Sequence, residues 1–118
     1  YKEAIDIYKN ARAESKSGFL WLNTAVIYTK IGKIKDANEN FQRAYKLLKA
    51  KNDLYYLPEY YYHLADFHKN NGNTQTAGIM IEKGLKLLNK TGNLDKIISF
   101  KLLIKKDILF PFLLQTKQ

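Results

Sequence analysis

A chain of 118 residues, 46% of them apolar, has room for one domain or a few short repeats and is too apolar for a disordered polymer. Two prolines and six glycines leave long unbroken runs, which favours helices over a many-turned β fold, and the lack of cysteine excludes disulfide frameworks and thiolate zinc sites. The net charge is +9, yet only Arg12 and Arg43 are arginine and lysines run through both halves. A nucleic-acid face clusters its charge and uses arginine forks, so this reads as a lysine-rich solvated surface and nucleic acid is not the expected partner of this segment.

The first stretch, 1–17, contains YKEAIDIYKNARAE, in which Ala4, Tyr8 and Ala11 recur at helical spacing. In 18–51, Trp21, Ala25, Tyr28 and Ile31 share one helical face, and Gly32 supplies a left-handed stop. A second helix from about Ile34 to Lys49 carries Ala37, Phe41, Ala44 and Leu48 on its apolar stripe, with Glu39 and Arg43 placed as an outer i,i+4 pair. Small residues at Ala25, Ala37 and Ala44 allow the two helices to approach closely.

The stretch 52–91 repeats this pattern. WLNTAVIYTKIGKIKDANENFQRAYKLL, from Trp21 to Leu48, aligns without a gap on YYHLADFHKNNGNTQTAGIMIEKGLKLL, from Tyr61 to Leu88. Trp21 meets Tyr61, Ala25 meets Ala65, Tyr28 meets His68, Gly32 meets Gly72, Ala37 meets Ala77, Phe41 meets Ile81, and Ala44 meets Gly84. Pro58 suits the first turn of the helix that carries Tyr61, Leu64, Ala65 and His68. The junction from Ala50 to Leu57 absorbs the extra length of the period. In 92–118, Leu94 to about Phe110 reads as a further helix, Pro111 breaks it, and ILFPFLL, Ile108–Leu114, forms an apolar tail.

Trp21, Ala25, Tyr28, Gly32, Ala37, Phe41 and Ala44 stand at the spacing of the tetratricopeptide repeat, which this chain resembles. Thr24 replaces the family's Leu and Lys49 its closing proline; the second copy is more degenerate. Ala4, Tyr8 and Ala11 match Ala37, Phe41 and Ala44, so the chain is expected to open on the second helix of an incomplete repeat and to be a piece of a longer array. The resemblance implies an all-α fold: an α-solenoid of stacked antiparallel helix pairs, a right-handed superhelix of about six helices.

It also implies a concave groove lined by the first helix of each pair. Leu22, Val26 and Lys30, with Tyr62, Asp66 and Lys69, are expected to face it, and Asn23 and His63 to lie at its rim. Of the tyrosines at 55, 56, 60, 61 and 62, Tyr61 is expected to pack like Trp21, Tyr60 and Phe67 to meet the preceding repeat, and Tyr62 to touch ligand. The lysine, arginine and asparagine clamp with which family members hold chaperone carboxylates is missing, since the matching positions are Leu22, Val26, Tyr62 and Asp66.

No chemistry-bearing motif stands against this. GKIKD at Gly32 lacks the spacing of a phosphate loop. His63 and His68 diverge by about 140° on a helix and cannot share a metal as an i,i+4 pair could. No nucleophile accompanies His63 and Asp66. The expected function is a non-catalytic scaffold, without cofactor or metal, that binds a protein or peptide segment. The alternatives are a peptide-sensing domain of a larger bacterial regulator, and an architectural module that oligomerises through the apolar tail. No apolar run approaches the ~20 residues that span a bilayer, so no membrane is expected.

Overall fold

The computed structural model describes residues 2–13 and 17–104, and the helices observed follow from that pattern. Among the described residues every regular element is an α-helix: α1 Lys2–Ala13, α2 Gly18–Lys30, α3 Ile34–Ala50, α4 Leu57–Asn70, α5 Thr74–Thr91 and α6 Leu94–Ile104. Pro111 and the tail Ile108–Leu114 lie outside the described residues, as do the side chains of Tyr8 and Ala11. Among the described residues no helix is long and apolar enough to cross a membrane. The chain forms two compact units, Tyr1–Tyr60 and Tyr61–Gln118, the boundary falling within α4.

In the first unit α2 and α3 form a tight pair. Ala25, Ala37 and Ala44 are buried, and their small side chains let the backbones approach while Phe41, Tyr28 and Leu48 fill the remaining core. The helices are tightly pressed at Gly18. A Cβ there would stand 2.7 Å from Leu48 Cγ and 3.1 Å from the Ala44 carbonyl oxygen. Two polar side chains enter this core and each donates to its own helix: the Thr24 hydroxyl to Leu20 O at 2.9 Å, and Asn40 Nδ2 to Asp36 O at 2.7 Å. On the outer side the Arg43 guanidinium lies 5.4 Å from the Trp21 ring centre, rather than pairing with Glu39 as the spacing suggests. The flat charge of arginine gains more over an aromatic face than in an exposed ion pair.

The turn between α2 and α3 is set by Gly32, at φ 78. Lys33 N–H donates to Tyr28 O and Gly32 N–H to Thr29 O, satisfying two of the carbonyls that the helix end leaves open. Asn52, at φ 48, ends α3 the same way, with Asp53 N–H on Leu48 O and Asn52 N–H on Lys49 O. The Asp53 carboxylate then accepts from the N–H groups of Tyr55 and Tyr56 at 3.1 and 3.0 Å, starting the chain into α4. The extra length of the period therefore sits in the loop 51–56, stapled where Tyr56 stacks on Phe19 with centroids 5.2 Å apart, while Tyr55 stays exposed. Tyr60 is buried against Phe41 at 6.1 Å and Tyr45 at 5.4 Å, so it meets the preceding helix pair as expected.

The second unit reproduces these features forty residues on. Gly72 has φ 81, Asn73 N–H donates to His68 O, and Gly72 N–H to Lys69 O. Ala65 and Ala77 are buried together, with Tyr62, Met80 and Ile81 packed on them. Tyr61 is buried, and its Cβ lies 3.3 Å from where a Cβ of Gly84 would stand. Phe100 of α6 reaches the same spot, its Cζ 2.8 Å from that point. Leu88, Phe100 and Ile104 form a cluster on which Ile81, Leu85 and Ile97 pack. Phe100 lies forty residues after Tyr60, and Ile81 and Leu85, which pack on its cluster, lie forty after Phe41 and Tyr45, on which Tyr60 packs. The asparagine before α6 caps it: Lys96 N–H donates to Asn93 Oδ1 at 3.1 Å.

Candidate functional site

The side chains expected to contact a partner are carried by α2 in one unit and α4 in the other. On α2, Leu22 is only 2% exposed and is among the largest fully buried side chains. Its surface is spent on the core, which corrects the expectation that it faces a groove. The physical reason is that α2 is apolar around most of its circumference, so spacing alone did not separate an outer from an inner face. Asn23 and Val26 are half-buried, and Lys30 is exposed. These three bring an amide, a branched apolar surface and a cation along one side of α2 within about two turns.

On α4, Tyr62 is half-buried. Its ring lies 5.9 Å from that of Phe100 at 71°, and it packs on both hydrophobic clusters of its unit. An edge-to-face contact of this kind contributes about 0.5–1.5 kcal/mol beyond area burial. Tyr62 therefore ties α4 to α6, a structural role that its place one step beyond Tyr61 did not reveal. Its ring also meets that of His63, 5.1 Å away at 71°. One turn on, Asp66 and Lys69 form an i,i+3 ion pair at 3.4 Å, with both side chains partly accessible. The pair offers a carboxylate and an ammonium already held side by side, suited to the amide and charged groups of a polypeptide.

Comparison with family models, with curated proteins and with solved structures returned no match. The functional reading therefore rests on the residues themselves.

His68 stands where the first pair has the buried Tyr28. Its Nδ1 is buried and has no hydrogen-bond partner among the described residues, and its ring meets Phe67 at 5.3 Å. Burial lowers its pKa below the ordinary 6.5, so the imidazole is neutral at pH 7. Among the described residues no group of three or more metal-ligating side chains comes together. Sequence reasoning missed one surface. On α6, Leu94, Ile98 and Leu102 are exposed in a row. The signal was present: Phe100 lies forty residues after Tyr60, which fixes which face of α6 packs and which is left open.

Proposed function

We propose that this chain is a tetratricopeptide-like repeat module that serves as a non-catalytic interaction scaffold. In this reading its helix pairs stack as an α-solenoid, and a segment of a partner protein lies in the concave groove along the first helix of each pair. The observation that carries it is the forty-residue repeat, present in the sequence from Trp21 to Leu88 and again in the matched glycine turns at φ 78 and φ 81. Helix pairs joined through buried alanines bury a core jointly and hold their side chains rigidly. A rigid array of amide, aliphatic and paired charged groups recognises polypeptide, because it supplies both hydrogen-bonding and apolar contact without ordering cost. Asn23, Val26 and Lys30 on α2, and Asp66 and Lys69 on α4, are the contacting residues. Leu22 and Tyr62 hold the helices that present them.

A phage-displayed peptide library selected on the native chain tests this. Selected peptides are expected to bind Val26→Glu and Asp66→Lys at least tenfold more weakly, a loss of about 1.4 kcal/mol. They are expected to bind Glu39→Lys, an exposed change on α3, unaltered. Peptides that ignore the first two changes and respond to the third would move the site to the outer helices.

A further inference from the structure

We propose that Asn71 converts to isoaspartate without an enzyme, and that the change releases the turn between α4 and α5. The inference does not rest on peptide binding.

The sequence picks out the residue. Asn71 is followed by Gly72, and every other asparagine of the chain is followed by a residue that carries a side chain. A backbone nitrogen can attack the carboxamide of the asparagine before it, and a side chain on the attacking residue hinders that approach. Gly72 has none, and nothing lies within 4 Å of where its Cβ would stand. Asn71 is exposed, so water and hydroxide reach it. Two other asparagines at helix ends are worse placed. Asn52 precedes Asp53, whose carboxylate repels the amide anion that must form. Asn93 precedes Leu94, and its Oδ1 accepts from the Lys96 N–H at 3.1 Å.

The reaction needs only water and hydroxide. Hydroxide removes the proton of the Gly72 N–H. The nitrogen then bonds to Asn71 Cγ, while Nδ2 takes a proton from water and leaves as ammonia. Water opens the resulting cyclic imide at either carbonyl, and nothing is oxidised or reduced. Opening at Cγ leaves aspartate. Opening at the backbone carbonyl leaves isoaspartate, in which the chain runs through Cβ and Cγ and the former backbone carbonyl becomes a free carboxylate.

The turn holds this reaction back. Gly72 N–H donates to Lys69 O at 3.0 Å, and that bond must break before the nitrogen can attack. Breaking it takes only local opening at an exposed helix end. Once formed, isoaspartate does not fit the turn. Asn71 N–H lies 3.2 Å from both Phe67 O and His68 O, and Asn73 N–H donates to His68 O at 2.8 Å. An added backbone carbon between positions 71 and 72 moves the Gly72 and Asn73 N–H groups out of that register. The new carboxylate also stands at the C-terminal end of α4, where the helix dipole disfavours an anion. The turn of the first pair has Ile31 before its left-handed Gly32 and so lacks the reacting group.

The test holds the native chain in mildly alkaline buffer and maps its tryptic peptides by tandem mass spectrometry. Isoaspartate is expected first at position 71, in the peptide Asn70–Lys83, at a rate that rises in proportion to hydroxide. In urea the rate is expected to rise further, because Lys69 O no longer holds the nitrogen. Asn71→Ile, which copies the first turn, is expected to keep the native helical circular dichroism and to remove this product. In the isoaspartyl form, hydrogen exchange at the Gly72 and Asn73 amides is expected to be at least about tenfold faster than in the native chain. Asn71→Asp adds the charge without the extra carbon and is expected to speed exchange less. Earlier conversion at another asparagine, or aspartate alone at position 71, overturns the assignment of the site. A rate that urea leaves unchanged, or exchange that the modification leaves unchanged, overturns the link between this residue and the turn.

Discussion

At Gly18 two helices come closer than any other side chain would allow. Alanine is the better helix former by about 1 kcal/mol in a helix interior, but Gly18 is the first residue of α2 and gains little of that. Its Cβ would meet Leu48, itself 2% exposed with no room to swing aside, and a backbone oxygen. Gly18→Ala is therefore expected to destabilise the fold by about 1–3 kcal/mol, the usual cost of overpacking. A urea midpoint equal to or above that of the native chain would contradict this. His68 poses a different residue-scale question, since burial disfavours its cation relative to its neutral form. The folded-state pKa is depressed below 6.5, so the unfolded chain binds the proton more readily. Stability is then full above pH 6.5 and falls as pH drops below it. His68→Tyr, which copies Tyr28 of the first pair, is expected to flatten the fall of thermal stability as pH drops below 6.5. An unchanged pH profile would show that the imidazole is not the group that loses.

For the helices as elements, the decisive residues are those that end them. Gly32 is exposed, with nothing within 4 Å of a built Cβ, so only its backbone angle resists substitution. Gly32→Ala is expected to cost about 1–2 kcal/mol for holding an L-residue left-handed. Gly78, in the first half of α5, is equally open but carries no left-handed angle. Gly78→Ala is expected to add about 0.5–1 kcal/mol by helix propensity. Chemical denaturation of the two variants side by side reads both signs, and a shift of the same sign in both would refute the argument. This contrast also explains which elements were legible in the sequence. Ends marked by glycine at a forty-residue offset, and faces marked by Ala25, Ala37, Ala65 and Ala77, follow from local geometry. The environments of Leu22 and Tyr62 do not. Both lie on helices with apolar residues on several sides, where only the neighbouring helix decides what is covered. Arg43 likewise had two partners at reach, and packing on Trp21 outweighed an exposed pair with Glu39.

For the whole molecule, the repeat was the part of the fold that sequence carried best, because two copies check each other residue by residue. The charge was legible too, and its consequence is collective. Twenty basic residues against eleven acidic ones, spread over the surface, repel one another in the compact state. Against this, the Asp66–Lys69 pair among the described residues is partly exposed, and such a pair contributes about 0–1 kcal/mol. Screening should therefore help more than it harms. The Debye length shrinks from about 30 Å at 0.01 M to about 10 Å at 0.1 M salt, which removes repulsion between lysines on different helices. The melting temperature is expected to rise by several degrees over that range, as a gain of about 1 kcal/mol would produce. On α5, the exposed Lys83, Lys86 and Lys90 lie at i, i+3 and i+7 on one side of the helix. Lys83→Glu is expected to reproduce part of the gain at low salt and none of it at high salt, because it removes a repulsion that screening removes as well. A melting temperature that falls as chloride is added, in the native chain and in Lys83→Glu alike, would mean that specific ion pairs outweigh the net charge in holding the fold.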